Sequence, residues 1–513
     1  MSFIEPLTHQ KVLDYDQVVA TARGLRAQNK TIVHCHGVYD LLHVGHIKHL
    51  EAARRLGDVL IVTVTADRFV NKGAHRPAFT ETLRAEALAA LACVDYVAIN
   101  RRPTAVEVIG DLRPDLYVKG SVKTDGKRDH NDAITREQDA IAAVGGRFVL
   151  TDEETFSASR LINRFLDVFR PEVKAFLASF RGRFSAGQIV THIEGMRGLR
   201  VLTIGDTIID EYVFCDTLGL ANKEAALVVG KTRAETHAGG ILAVANHVAG
   251  FCDHVTVASA LGDADSYESF VAERLKSNVS RNFVMVPGVS TMVKRRYVEG
   301  YPTRQLLEVY NTKHAPIGPR EEEALIDRLD AILPEFDLVI VADYGHGLLT
   351  ERVIGHVCDR ARFLAINAQA NAGNFGYHVV SKYPRADFVE IAEVELRLQH
   401  RNQDGDIRTL TTETARSLGC PRMIVTRGER GCLCYDEAAG FADVPAFAVK
   451  LVDAVGSGDA LLSLAAPAVA SGAPVEVAGF IGNVAGAEAC AVMGNQSSID
   501  PADFFRHVTS LLS

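Results

Sequence analysis

The stretch GVYDLLHVGHIKHL, residues 37–50, carries His43, His46 and His49 at intervals of three, with His34 and His36 just upstream. Imidazoles so spaced can hold a metal, pack in a core, or donate hydrogen bonds to phosphate. The glycines help to discriminate. Gly37 lets the chain turn tightly, and Gly45 lets a ligand approach the backbone. A zinc site would leave both glycines unexplained, and no Cys or carboxylate cluster stands nearby in the sequence. The stretch follows the strand-like TIVHC and opens a helix-like segment, so unpaired N–H groups and a positive dipole end face the loop. That is an anion site, with His43 and His46 beside it as donors. His34, His36 and His49 are read as structural or minor.

A second constellation is DAVGSGDALL, residues 453–462. Gly456, Ser457 and Gly458 open an apolar helix and expose another set of N–H groups, and Asp459 falls in its first turn. A hydroxyl acceptor must lose its proton during phosphoryl transfer, and a carboxylate beside an anion hole suits that task. The plain alternative is a glycine-rich turn followed by an acid that complements the helix dipole.

The elements that must position these residues alternate between strand and helix. From Thr31 the pattern runs strand TIVHC, helix 46–56 with Gly57 as its stop, strand VLIVTVT, helix TETLRAEALAALACV capped by Thr80 or Thr82, strand DYVAI, helix TAVEVIGDL, strand DLYV, helix 132–144 and strand GGRFVL. This is an open parallel sheet covered by helices. Residues 160–198 are helical and basic, interrupted by Pro171 and Gly182. A second α/β pattern starts at LRVLTIGD, with β-rich excursions at 208–232 and 290–310 that read as a small lid. The expected organisation is an extension over 1–30, an α/β domain over 31–165, a helical connector over 166–198, and a second α/β domain over 199–513.

Bulk properties bound the partners. The net charge of −9 in 513 residues argues against a general nucleic-acid binder, although a local anion site can still be positive. No run of eighteen apolar residues suggests a membrane span. MSFIEPLTHQKVLDYDQ has charges where a signal peptide needs an apolar core, and nine scattered cysteines suit reduced thiols. A cytoplasmic location is expected.

The pattern G-x-[FY]-D-x-x-H-x-G-H, seen in residues 37–46, resembles the signature of the cytidylyltransferase-like nucleotidyltransferases. The resemblance implies a Rossmann-like domain in which Gly37, Tyr39, Asp40 and Gly45 border a nucleoside triphosphate while His43 and His46 stabilise its phosphates. It extends downstream to Lys72 and Arg76 of NKGAHRP, Arg84 of ETLRAE, Lys119 and Gly120 of YVKGS, and Ser157 and Ser159 of TFSASR, the last resembling a second triphosphate-binding signature. Residues 199 to about 500 resemble the ribokinase-like (phosphofructokinase-B) sugar kinases, through D-x-x-G-x-G-D at 453–459, with Asp459 implied as catalytic base. That resemblance also implies sugar contacts from Asp206, Asp210, Gly239, Gly240 and Asn246, with Asp343 after a strand. On the nucleotide side it implies a loop with Thr426, Gly428 and Gly431, the Gly456–Ser457–Gly458 hole, and Asn483 beside the adenine.

The pair resembles the bifunctional heptose kinase/heptose 1-phosphate nucleotidyltransferases of ADP-heptose synthesis. The implied ligands are a sugar phosphate, ATP at the kinase, ATP or CTP at the transferase, and Mg²⁺, with Glu393 a metal ligand by analogy. No nucleic-acid or membrane partner is implied, and a homodimer is compatible. Three departures stand out. The domain order is the reverse of the heptose enzyme's. INAQANAGN, with Asn367, Gln369, Asn371 and Asn374, replaces a D-P-K-G segment, where it is either a sugar-binding loop or a surface turn. VEIAEVE, with Glu390 and Glu393, replaces P-N-x-x-E. Two other readings stay open: a CTP-dependent transferase with a repurposed kinase domain, and a non-catalytic nucleotide-binding regulator.

Overall fold

The computed structural model describes residues 10–70, 77–120, 128–151, 169–300, 303–311, 316–448 and 451–512. By its contacts the chain divides into two compact units, with the break between Val168 and Phe169.

The first unit contains strands β1 (Val12–Leu13), β2 (Ile32–Gly37), β3 (Val59–Thr65), β4 (Tyr96–Asn100), β5 (Leu116–Gly120) and β6 (Arg147–Thr151). They form one parallel sheet in the order β1-β4-β3-β2-β5-β6. β3 is buried along its whole length, which is why VLIVTVT is a continuous apolar and β-branched run rather than an alternating one. Side-chain alternation sends Val33, Cys35, Leu60 and Val62 into one core and Ile32, Ile61 and Ala98 into another. Both faces of the sheet are therefore covered. Thr80 caps the helix Glu81–Ala89 by accepting from the Leu83 N–H. Residues expected as an N-terminal extension supply β1 and the helix Tyr15–Ala27, whose Tyr15, Val18 and Ala22 are buried. Gly57 is not a left-handed helix stop, because the helix Val44–Arg54 closes before it on a right-handed Arg55. A Cβ at Gly57 would stand 2.6 Å from Val33 Cγ2, so close packing onto β2 demands the glycine.

The second unit has strands β7 (Arg200–Gly205), β8 (Thr207–Leu220), β9 (Leu227–Gly240), β10 (His254–Gly262), β11 (Val279–Val286), β12 (Met292–Gly300), β13 (Thr303–Tyr310), β14 (Leu338–Asp343), β15 (Leu364–Ala368), β16 (Phe388–Ala392), β17 (Arg422–Thr426), β18 (Cys432–Asp436) and β19 (Gly440–Val444). Nine make the main sheet, in the order β11-β10-β7-β14-β15-β16-β17-β18-β19, antiparallel only at its last two pairings. The other four make a separate sheet, β13-β12-β8-β9, from the two segments that read as β-rich excursions. The helices Pro171–Arg183 and Ala186–Gly195 cover much of the expected connector. Phe180 stacks on Phe480 at 4.8 Å between centroids, and Phe176 and Phe480 both meet Phe447, so this segment packs into the second unit. No helix among the described residues is long and apolar enough to cross a membrane.

Candidate functional site

In the first unit, β2 lies between β3 and β5, where the chain stops adding strands on one side and crosses to the other. The crevice beyond the carboxyl ends of such strands is the usual ligand position in open α/β sheets. Residues 38–43 leave β2 at this point, and Lys119 and Gly120 end β5 beside it. His43 is the N-cap of the helix Val44–Arg54, its Nδ1 accepting from the Gly45 N–H at 3.2 Å. An accepting Nδ1 assigns the proton of the neutral ring to Nε2, which is then a donor. Partial desolvation lowers the His43 pKa, favouring that neutral ring. His46 stacks on His43 at 3.9 Å and 22°, and Tyr39 meets His46 edge-on at 5.3 Å. The two rings thus form one slab at the helix start.

The other three histidines face hydroxyls inside the fold. His34 and His36 both meet Thr63 Oγ1 at 2.8 Å, and His49 meets Thr151 Oγ1 at 2.7 Å. Burial holds His36 and His49 at a pKa of about 4, so they remain neutral. The tight turn belongs to Tyr39, at φ +48°, and not to Gly37. Gly37 instead makes room for the Tyr39 ring, which would stand 3.0 Å from a Cβ there.

Two expected nucleotide contacts turn inward. Asp40 is buried and accepts from the Ala78 and Phe79 N–H groups at 2.6 and 3.2 Å. Arg84 is 1 % exposed. It donates to the carbonyls of Phe79, Val38 and Thr65 and pairs with Asp67 at 2.6 Å. A charge this deep survives only when paired, so Arg84 is the clamp that ties the loops after β2 and β3 together. Arg84→Ala is expected to destabilise the first unit by about 3–5 kcal/mol, the usual cost of breaking a buried charged network. Differential scanning calorimetry checks this, and an unchanged unfolding transition would refute the clamp. Lys119 pairs with Glu137, which leaves its ammonium at the crevice edge and partly exposed. Lys72, Arg76, Ser157 and Ser159 lie outside the described residues.

In the second unit the corresponding crevice opens between β7 and β14. A Cβ at Gly205 would stand 2.1 Å from the Ala342 carbonyl oxygen, so the two strands pack closely there. Asp206 follows β7 and accepts from the His346 and Leu348 N–H groups at 3.1 and 3.2 Å, tying down the loop after β14. Burial, and then the neighbouring Asp343, push its pKa up to about 6. Asp343 stays ionised: burial pushes its pKa upward, but His378 and Lys382 outweigh that and hold it at about 2. Gly456, at φ +83°, begins the helix Ser457–Ala470, and Ser457 Oγ donates to the Ala454 carbonyl. Asp459 in its first turn is 7 % exposed. Tyr344 Oη and Gln369 Nε2 both donate to its Oδ1, at 2.9 and 3.1 Å. Burial is the main cause that raises its pKa to about 7, with Asp210 adding and Tyr344, Lys294 and Gln369 opposing. That value suits a base working near neutral pH.

The four-stranded sheet supplies the facing wall. Register sets His237, Asp210, Lys294 and Tyr310 in one cross-strand row and Glu235, Tyr212, Arg296 and Glu308 in the next row on the same face, two residues along. Arg296 pairs with Asp210 at 2.6 Å and Glu308 at 3.2 Å, while Asn495 Nδ2 donates to the second Asp210 oxygen at 2.9 Å. Lys294 lies near the Tyr310 and Tyr344 rings, at 5.3 and 5.9 Å. A Cβ at Gly239 would collide with Asp210, and one at Gly240, at φ +55°, would meet the Asp206 carbonyl oxygen at 2.7 Å. Both glycines therefore serve packing against the two aspartates. Tyr344, Lys294, Arg296 and Asn495 were missed in the sequence, and only Tyr344, next to Asp343, carried a local signal.

Other expected contacts are committed elsewhere. Asn246 bonds the backbone of Arg274 and Lys276, and Asn483 donates to Cys432 Sγ and to the Gly479 carbonyl. The loop expected on the nucleotide side is not so committed: Thr426 and Gly428 line an open cleft, Gly428 and Gly431 have φ of +57° and +83°, and a Cβ at Gly431 would stand 2.0 Å from the Val444 carbonyl oxygen. Glu393 does not fit a metal-ligand role. Its carboxylate is held by Arg397, Arg427 and Arg430 at the edge of an open cleft of about 1010 Å³. Burial pushes its pKa upward, but these guanidinium groups outweigh it and the pKa falls. Among the described residues no group of three or more His, Cys, Asp or Glu could hold a metal ion.

Residues 199–502 match the model of the pfkB family of carbohydrate kinases, more than half the chain. The chain belongs to that family. Ahead of the pfkB region, residues 34–164 match the cytidylyltransferase-like model. Curated relatives include the bifunctional protein HldE of Syntrophotalea carbinolica, 38 % identical over 32 % of this chain and 34 % of that one. The HldE of Nitrobacter winogradskyi is 28 % identical over 58 % of this chain and 61 % of its own. The chain thus spans between a third and three fifths of these relatives' length. Phosphofructokinase-2 of Escherichia coli, solved with potassium, is 18 % identical at a TM-score of 0.50, covering 61 % of this chain and 99 % of that one. It shows the fold of the pfkB unit.

Against the pfkB pattern, the departures at 367 and 390 form one coupled change. Asn367 stands on β15 where the acid was expected, and Glu390 stands on β16 where the amide was expected. The Asn367 Nδ2 donates to Glu390, and Thr426 Oγ1 donates to its other oxygen at 3.1 Å. Acid and amide thus stand on exchanged strands and are hydrogen-bonded to each other here. Burial, then Glu395, raises the Glu390 pKa to about 8, so it is mostly neutral at pH 7.

Proposed function

We propose that this chain activates a sugar in two steps. An ATP-dependent kinase phosphorylates the sugar at C1, and a nucleotidyltransferase joins the resulting sugar 1-phosphate to a nucleotide, releasing pyrophosphate. The observation that carries this reading is the pairing of a base at an anion hole, Asp459, with the His43–His46 slab at a helix start in the other unit. The first chemistry makes the phosphate nucleophile the second requires. The resemblance to the heptose kinase/heptose 1-phosphate nucleotidyltransferases favours a heptose 7-phosphate as acceptor and an ADP-heptose-like product, with a separate phosphatase removing the 7-phosphate between the two steps.

In the kinase, Asp459 removes the acceptor's proton while the N–H groups of Gly456–Gly458 face the transferring phosphoryl group. In the transferase the nucleophile is already anionic and needs no strong base. His43 and His46 act by positioning and by donating to the triphosphate. Mg²⁺ accompanies nucleotide phosphates in such chemistry, held largely by the phosphates themselves. Small soluble substrates suit a cytoplasmic enzyme and call for no nucleic-acid or membrane partner.

A mass-spectrometric panel tests the reading: heptose phosphates and simpler sugars, each with ATP or CTP, scored for sugar phosphate and NDP-sugar. A heptose 1,7-bisphosphate from heptose 7-phosphate and ATP, and an ADP-sugar from a supplied heptose 1-phosphate and ATP, are expected. A CDP product without any sugar phosphorylation would favour the repurposed-kinase alternative. Release of neither ADP nor pyrophosphate across the panel would favour a binding protein.

A further inference from the structure

We infer that Gln369 is a positioning residue for the kinase base: with Tyr344 it occupies Oδ1 of Asp459, so that Oδ2 is the oxygen that accepts the proton of the sugar hydroxyl. The inference rests on the kinase reading above and goes beyond it by assigning the reacting atom and its regulator. Gln369 stands where the resemblance led to a lysine, so a neutral amide replaces a cation next to the base.

The geometry is specific. The Gln369 N–H donates to the Asp343 carbonyl at 2.9 Å, fixing its backbone at the end of β15. Its Nε2 reaches Asp459 Oδ1 and also lies 3.9 Å from where a Cβ of Gly458 would stand, against the anion-hole turn. Tyr344 Oη approaches the same oxygen from the loop after β14. No described residue donates to Oδ2. Two donors on one carboxylate oxygen fix the plane of the group and leave the other oxygen's lone pairs for the acceptor.

The acceptor's proton moves to Oδ2, its oxygen forms a bond to the γ-phosphorus of ATP, the bridging bond to that phosphorus breaks, and ADP leaves. The charged and titratable groups facing Asp459 are Asp210 from β8, Lys294 from β12, Tyr344 from the loop after β14 and Glu390 from β16. Lys294 opposes the two carboxyl groups. A second cation at position 369 would make Asp459 a weaker base, and the amide avoids this while keeping the hydrogen bond.

The test is a charge series at one position, Gln369→Lys, Gln369→Leu and Gln369→Glu, in the full chain. The carboxyl midpoint is read by infrared difference titration against Asp459→Asn, a signal that does not depend on turnover. Relative to the wild type the midpoint should fall by about one unit in the Lys variant and rise by about one in the Leu variant, and further in the Glu variant. The acid limb of kcat/KM for sugar phosphorylation should move in the same order. A side chain that only fills space would give Leu and Glu variants titrating together, and that result overturns the inference. So would four coincident midpoints. A wild type that titrates as expected but phosphorylates no sugar would instead count against the kinase reading alone.

Discussion

Asp459→Asn is expected to reduce sugar phosphorylation by about 10²–10⁴-fold, the usual contribution of a positioned base, while leaving nucleotidyl transfer from a supplied sugar 1-phosphate intact. The amide keeps the shape and can still meet Tyr344, but it cannot take a proton. The wild-type rate should rise through an acid limb near pH 7, because burial holds the carboxyl at about that value. The same burial has a stability signature of opposite direction. The folded pKa of about 7 lies above the ordinary 3.8, so the folded state keeps a proton that the unfolded chain has lost. That contribution is full below about pH 4 and is lost as the pH rises to about 7. Above pH 7 the Asn variant, which buries no charge, should therefore unfold at a higher temperature than the wild type. A variant less active and more stable at pH 8 identifies a base kept at a cost to the fold. A variant both inactive and destabilised at that pH would place Asp459 among structural caps.

Much of this arrangement was legible because it is local. VLIVTVT, apolar and β-branched, was readable as a strand, and D-x-x-G-x-G-D places glycines and an acid on one helix start through sequence spacing alone. What was not legible depends on register between distant segments. Asn495 meets Asp210 across 285 residues, and Asn367 meets Glu390 only because β15 and β16 are neighbours. Read singly, the altered residues at 367 and 390 looked like two losses, whereas paired they conserve one acid and one amide. Direction was equally hidden. Arg84 and Asp40 have the residue types of phosphate-loop contacts, yet both point inward, because a buried guanidinium can organise three carbonyls at once. Glu393 had the composition of a metal ligand, and three arginines from its surroundings give it another role. Charge in a sequence marks where electrostatics matter and leaves the partner undetermined.

His46→Ala carries the converse expectation: nucleotidyl transfer should fall by about 10²–10³-fold, the loss typical of one donor to a developing charge, with sugar phosphorylation unchanged. The ring is placed by His43 on one side and Tyr39 on another, so its removal also loosens the His43 slab, and a double variant His43→Ala/His46→Ala should lose less than the product of the single effects. His46→Gln, which keeps a donor, should recover part of the activity, whereas a packing role would be restored equally well by His46→Leu. A zinc site predicts something else: metal bound in stoichiometric amount and lost with either histidine. Equal loss of both activities in His46→Ala would sink the two-site model, because nothing in a phosphate cradle at one sheet's switch point should disturb a base held by Tyr344 and Gln369 in another unit.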